Sequence, residues 1–192
     1  SEQYALYCSL SSNGEKRTRV DYSNIPKYVR DAFVCSEDER FDMHDGVDFK
    51  RTFAAFANLI LHFYDTEQGG STITQQTIKN LTGDNATDGS EGMARKIREI
   101  FRSINVEKTY TKQEILEAYL NIVPLGNNVA GVQAAANFYF GKDVSELSIK
   151  EAASLAAITP SPATYNPYDN YEENVGRAND FNLKYMLDNG AI

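Results

Sequence analysis

Three short patterns constrain the fold more than anything else in this chain: Thr72-x-x-Gln75, Thr111-x-x-Glu114 and Ser148-x-x-Glu151. Each places a hydroxyl three residues ahead of a Gln or Glu. The hydroxyl can satisfy a free N–H of the first helical turn while the longer side chain reaches back to the hydroxyl residue's own N–H. Such helix starts spread through the chain predict a mainly α-helical fold. Upstream, Phe49, Phe53, Phe56, Ile60 and Phe63 recur at spacings of four, three, four and three, predicting one buried helix face. Pro26 opens a helical run toward Glu37, and Gly69-Gly70 separates two helices. Basic residues cluster on a helix at Arg95, Lys96, Arg98 and Arg102. A small-residue helix surrounds Ala134-Ala135-Ala136, Pro160-Ser161-Pro162 closes the helix begun at Ser148, and a last helix spans about 171–188. Residues 1–22 alternate weakly, which allows a short strand or hairpin around Asn13-Gly14. The run 82–92, TGDNATDGSEG, is polar and without periodicity and reads as a mobile loop.

A chain of 192 residues suits a single domain. Its net charge of −8 argues against nucleic-acid binding, which rests on basic surface. Two cysteines, Cys8 and Cys35, and two histidines, His44 and His62, make no metal-ligand pattern; whether the cysteines pair stays open. No stretch approaches the roughly 20 apolar residues that span a bilayer.

Three constellations carry chemistry. The segment Glu37–Asp48, EDERFDMHDGVD, packs acidic side chains, an Arg and a His where the chain leaves an apolar stretch. A carboxylate there can be partly desolvated and tuned for acid–base work. The second, Gly69-Gly-Ser-Thr-Ile-Thr-Gln-Gln76 with Lys79 one turn on, joins a close-approach glycine pair to a helix N-terminus that favours anions. The third, Arg95-Lys96-Ile97-Arg98-Glu99, reads by itself as a helix with an ordinary Lys96–Glu99 ion pair.

In this order, EDERFDMHDG, GGSTITQQTIKNL, RKIRE and KQEILEAYLNIVPLG resemble successive signature motifs of the peptidoglycan glycosyltransferases, glycosyltransferase family 51. The later GVQAAANFYFGKDVSELSIKEAASLAAITPSPATYNPY resembles the C-terminal part of the same family, so the likeness runs from about Ile25 to the end. The resemblance implies a lysozyme-like helical lobe with a smaller membrane-facing lobe. It also implies a domain cut from a longer, membrane-anchored chain at the extracytoplasmic face of the bacterial cytoplasmic membrane. The implied substrates are lipid II and the growing glycan, the implied surroundings the outer leaflet and other cell-wall synthesis proteins.

By resemblance Glu37 is the general base and Glu99 the second essential glutamate, orienting cations and sugar. Substrate contacts are expected from Asp38, Phe41, Ser71, Thr72, Gln75, Gln76, Lys79, Arg95, Lys96 and Arg98. No cofactor or resident metal is required, although a divalent cation (Mg or Mn) at the pyrophosphate is compatible with the chemistry. Relatives carry a basic residue about where Ala54 stands; here the nearest is Arg51. His44, with no partner visible in the sequence, reads as structural, Asp48 as the cap of the helix near Phe49, and Asn121, Gly126 and Tyr165-Asn166-Pro167 as fold-defining. A lysozyme-like lytic glycosidase and a catalytically silent cell-wall binding module are the two rival readings.

Overall fold

The computed structural model describes residues 16–52, 70–83 and 89–192. After β1 (Lys16–Arg17) come a 3₁₀ turn (Tyr22–Asn24), α1 (Lys27–Glu37), a second 3₁₀ turn (Phe41–Met43) and a helix opening at residues 49–52. Then follow α2 (Ile73–Thr82), α3 (Gly89–Glu107), α4 (Lys112–Ile122), β2 (Val129–Ala130), α5 (Val132–Phe140) and α6 (Ile149–Ile158). The chain ends with α7 (Pro162–Tyr165), α8 (Tyr171–Arg177), a π-helical stretch (Ala178–Leu183) and α9 (Lys184–Asp188). The predicted capping boxes at Thr72, Thr111 and Ser148 all form. A fourth, Asp143 with Glu146, starts a 3₁₀ turn.

The core is built on close helix contacts made possible by small side chains. Ala152, Ala153, Ala156 and Ala157 of α6 are buried, and α6 packs against α1 and the π-helical stretch. Phe33 of α1 meets Tyr119 of α4 edge to face, with ring centroids 6.3 Å apart. Burial, and after it the neighbouring Glu37 and Asp38 charges, push the Tyr119 hydroxyl well above its ordinary value of 10.0. The centre of the core therefore lies directly beneath the acidic segment.

β1 and β2 pair in parallel, Lys16 with Val129 and Arg17 with Ala130. Asn121 secures this junction: its Oδ1 accepts from Val20 N–H at 2.8 Å and its Nδ2 donates to Val20 O at 2.8 Å. Gly131 comes so close to α4 that a Cβ would lie 2.5 Å from Asn121 O, and its φ of +84° is one that favours glycine.

Four expectations change or fall elsewhere. Phe49, expected on the buried face, is 65% exposed, because the inward-facing position of that first turn belongs to Arg51. Phe53, Phe56, Ile60 and Phe63, like His62, Cys8 and the Asn13-Gly14 turn, lie outside the described residues. Thr82 closes α2 with Gly83 in a left-handed C-cap, and α3 already begins at Gly89 with Glu91 in its favourable first turn, so helices reach into both ends of the run expected as loop. Residues 84–88 are outside the described set. The last helix follows its expected path but widens into a π-helix, which turns both Phe181 and Asn182 inward.

Asp48 caps the helix at 49–52, accepting from Arg51 N–H at 2.9 Å, and is held by Arg40 Nε at 2.8 Å. Burial raises its proton affinity, but the Arg51 N–H and Arg40 outweigh that effect and hold the carboxyl below its ordinary 3.8. A depressed folded-state value stabilises the fold above the unfolded value and loses that contribution as pH falls. Asp48→Asn should therefore be less stable than the parent at neutral pH. The gap should close as pH drops below 3.8 in urea-denaturation series; a constant gap across that range contradicts the assignment. Gly131→Ala should lower stability by about 1–3 kcal/mol. An unchanged denaturation midpoint would show that the contact with Asn121 relaxes freely.

Candidate active site

The site grows from the end of α1. Asp38 follows Glu37 directly, has no exposed surface, and points its carboxylate inward. It accepts from Ile73 N–H, the first turn of α2, at 3.0 Å, lies 3.0–3.1 Å from His44 Nε2 and 3.7 Å from Arg51 Nη1. His44 thus has a partner that its place in the sequence does not reveal. With Asp38 anchored, Glu37 sits beside the first turns of α2. Gln76 Nε2 donates to Glu37 Oε2 at 2.7 Å, and the Thr159 hydroxyl at the end of α6 meets Glu37 Oε1.

A second set of contacts brings α3 to the same place. Gly46, at φ +89°, approaches α3 so closely that a Cβ would lie 2.5 Å from Ser103 O. Its own carbonyl accepts from Thr72 Oγ1 at 2.7 Å. Glu107, near the end of α3, accepts from Thr74 of α2 at 2.5 Å and from Lys112 at 2.8 Å, and Lys112 also donates to His44 O at 2.6 Å. One turn from Ser103, Glu99 is only 5% exposed, with both oxygens occupied: Arg95 at 2.6 Å and Lys96 at 2.5 Å. Lys96 also donates to Ser71 Oγ at 2.9 Å, joining α3 to the residue before the α2 cap.

The result is one open cleft of about 450 Å³ whose lining includes Glu37, Ser71, Gln75, Gln76, Lys79 and Glu99. Six of the twelve side chains singled out in the sequence therefore share this cleft. Arg95 lines a small recess beside it with Lys79 and Glu99. Lys96 supports Glu99 and Ser71 from outside the lining. Arg98 is exposed and lines neither space.

Asp38, Phe41 and Thr72, expected to touch substrate, are buried behind the wall. Asp38 is engaged by the helix start and its two side-chain neighbours. Phe41 packs edge-on against His44 and under Lys112 Nζ, 4.4 Å from its ring centre, and Thr72 is occupied by its capping box and Gly46.

The cleft also contains Arg177 and Thr159, which the sequence reading did not select. Arg177 lies over the Phe181 ring at 4.3 Å and the Tyr165 ring at 5.1 Å. Its spacing of four from Phe181 is the one sequence signal for such a stack. Thr159, a helix-end residue before a proline, carried none. Among the described residues no group of three or more His, Cys, Asp or Glu side chains is arranged to hold a metal ion. No described helix is long and apolar enough to cross a membrane.

This geometry has relatives. The chain matches the family described as Transglycosylase over residues 5–186. Penicillin-binding protein 1F of Bacillus subtilis is 43% identical over 180 residues, 93% of this chain and 24% of that protein. Penicillin-binding protein 1A of Escherichia coli is 41% identical over 184 residues, 95% of this chain and 21% of that protein. Penicillin-binding protein 1A of Clostridium botulinum is 40% identical over 198 residues, 97% of this chain and 23% of that protein. The chain thus spans less than a quarter of the length of each of these relatives. The crystal structure of Penicillin-Binding Protein 1A from Haemophilus influenzae is similar with a TM-score of 0.53 at 25% identity, over 93% of this chain and 16% of that one. A family match over nearly all its length, a helical fold shared with a solved member and the described cleft agree: the chain belongs to the transglycosylase family, the glycosyltransferase domain of class A penicillin-binding proteins.

Proposed function

We propose that this chain polymerises lipid II into β-1,4-linked glycan, with Glu37 as the general base. The observation that carries the reading is the shared cleft, in which the Glu37 carboxylate and the cationic Lys79 and Arg177 line one continuous space. The reaction needs a base for the 4-hydroxyl of the incoming sugar, a poor nucleophile, and positive charge for the departing pyrophosphate. Attack of that hydroxyl on the anomeric carbon opposite the pyrophosphate gives inversion in one displacement, from an α-linked donor to a β product. Pyrophosphate leaves as an anion, so cations and N–H donors suffice and no strong general acid is needed.

Lys79, exposed on α2 and lining both the cleft and the recess beside Arg95, is assigned to the pyrophosphate. Glu99 keeps Arg95 and Lys96 in place rather than exchanging protons. A lytic glycosidase uses two carboxyl groups, one of them a proton donor; the two cations on Glu99 speak for transfer over lysis. Arg177, stacked over two aromatic rings and lining the same cleft, is assigned to an anionic part of the acceptor. A divalent cation would supply further positive charge at the departing pyrophosphate; no described cluster of His, Cys, Asp or Glu side chains is arranged to hold one.

The lipid tail places the reaction at the outer leaflet of the cytoplasmic membrane. Met93, Ile97 and Phe101 are exposed at four-residue spacing along α3, and Leu81 is exposed on α2. We assign these exposed apolar side chains to contact with the membrane.

Labelled lipid II tests the reading. The protein should form glycan polymer, and Glu37→Gln should lower the rate by about 10²–10⁴-fold. Cleavage of finished peptidoglycan would support the lytic reading, and binding without turnover a silent module. Arg177→Ala should reduce kcat/KM about 10- to 100-fold, the worth of one hydrogen bond to a charged group. Unchanged kinetics would remove Arg177 from the substrate path.

A further inference from the structure

Thr159 Oγ1 faces two acceptors at once, Glu37 Oε1 on one side and the Ala156 carbonyl oxygen, 2.9 Å away, on the other. A threonine hydroxyl has one hydrogen and two acceptor lone pairs. While Glu37 is ionised, the carboxylate has no hydrogen to offer, so the Thr159 hydroxyl can donate to only one of its two neighbours, and Ala156 O keeps the Thr159 backbone N–H at 3.4 Å in either case. Once Glu37 carries a proton, both contacts are satisfied: Glu37 donates to Thr159, and Thr159 donates to Ala156 O. Gln76 treats the other oxygen differently. Its Nε2, 2.7 Å from Oε2, can only donate, so Oε2 remains an acceptor in either state.

We infer that Oε1 is the oxygen of Glu37 that takes the substrate proton, and that Thr159 is a positioning residue whose hydroxyl reverses direction as the proton arrives. This rests on the reading of Glu37 as the base. The sugar 4-hydroxyl gives its proton to Oε1, and its oxygen electron pair forms the new bond to the anomeric carbon. The bond from that carbon to the pyrophosphate breaks, and its electron pair leaves with the pyrophosphate. The new Glu37 O–H turns toward Thr159 Oγ1, whose own hydrogen swings to Ala156 O. No heavy atom needs to move. Thr159 is fixed for this role at the end of α6, directly before Pro160, which lines the cleft with it. When the proton passes to solvent, the hydroxyl swings back and the base is restored.

Steady-state polymerisation of labelled lipid II across a range of pH, with melting temperatures, tests this in Thr159→Val and Thr159→Ser. Valine keeps the shape and removes both hydrogen-bonding functions; serine keeps both. We expect kcat of Thr159→Val to fall about 10- to 100-fold, the worth of a hydrogen bond to a charged group, with KM little changed. The acid limb of its kcat–pH profile should be displaced, and Thr159→Ser should restore both rate and profile. If Thr159→Val does not fold, Thr159→Ala is read by the same criteria. Parent-like kcat and pH profile in Thr159→Val would overturn the inference. So would a loss that is equal at every pH, follows the melting temperature and is shared by Thr159→Ser. Glu37→Gln in the same assay separates the two levels: if it polymerises normally, the base reading fails, and if it is inactive while Thr159→Val is normal, only the hydroxyl switch fails.

Discussion

Asp38 buries a carboxylate with no exposed surface at the point where α1 gives way to the acidic turn, and the rest of the site depends on it. A buried charge is stable only when its surroundings answer it with donors and opposite charge. Here the answer comes from three separate segments: Ile73 N–H from α2, His44 from the turn and Arg51 from the helix at 49–52. Joining those segments at one carboxylate fixes the preceding residue, Glu37, against α2. The capping box at Thr72 then sets the helix so that Gln76 reaches Glu37.

The cationic side is held by a parallel device. Gly46 lets the acidic turn touch α3 at Ser103, and Glu107 ties α3 to Thr74 and Lys112. These contacts settle where Glu99 stands, and Glu99 in turn settles Arg95 and Lys96. The same short turn therefore registers α2 through Asp38 and α3 through Gly46. A cleft with a carboxylate and fixed cations follows from packing that is largely out of reach of solvent.

The helix starts were legible because a capping box is local: residues three apart in sequence satisfy each other's N–H groups whatever the tertiary context. Glu37, Gln76, Lys79 and Glu99 stood out because their motifs are contiguous. What stayed hidden is non-local or depends on direction. His44 and Asp38 are six residues apart across a turn, a spacing no periodicity flags, so His44 looked alone. Phe41 and Thr72 are in the right segments, but only the packing shows that they face away from the cleft. Thr159 reaches Glu37 across 122 residues, a closure that nothing in a helix end announces. Phe49 fitted an apolar face by spacing, yet Arg51 takes the inward position because a buried carboxylate there needs a cation. The π-helical stretch that follows Arg177 and turns Phe181 and Asn182 inward has no pattern distinct from an ordinary helix.

We propose that the buried Asp38 carboxylate keeps Glu37 in position for catalysis without itself meeting substrate. The most direct measurement is kcat and KM for lipid II polymerisation by Asp38→Asn, at a temperature where circular dichroism shows the variant folded. Asparagine keeps an oxygen for Ile73 N–H but gives up the charge that answers His44 and Arg51. A large loss in kcat with KM nearly unchanged is the expected result. A folded Asp38→Asn protein with parental kcat, or one whose defect lies wholly in KM, would contradict it.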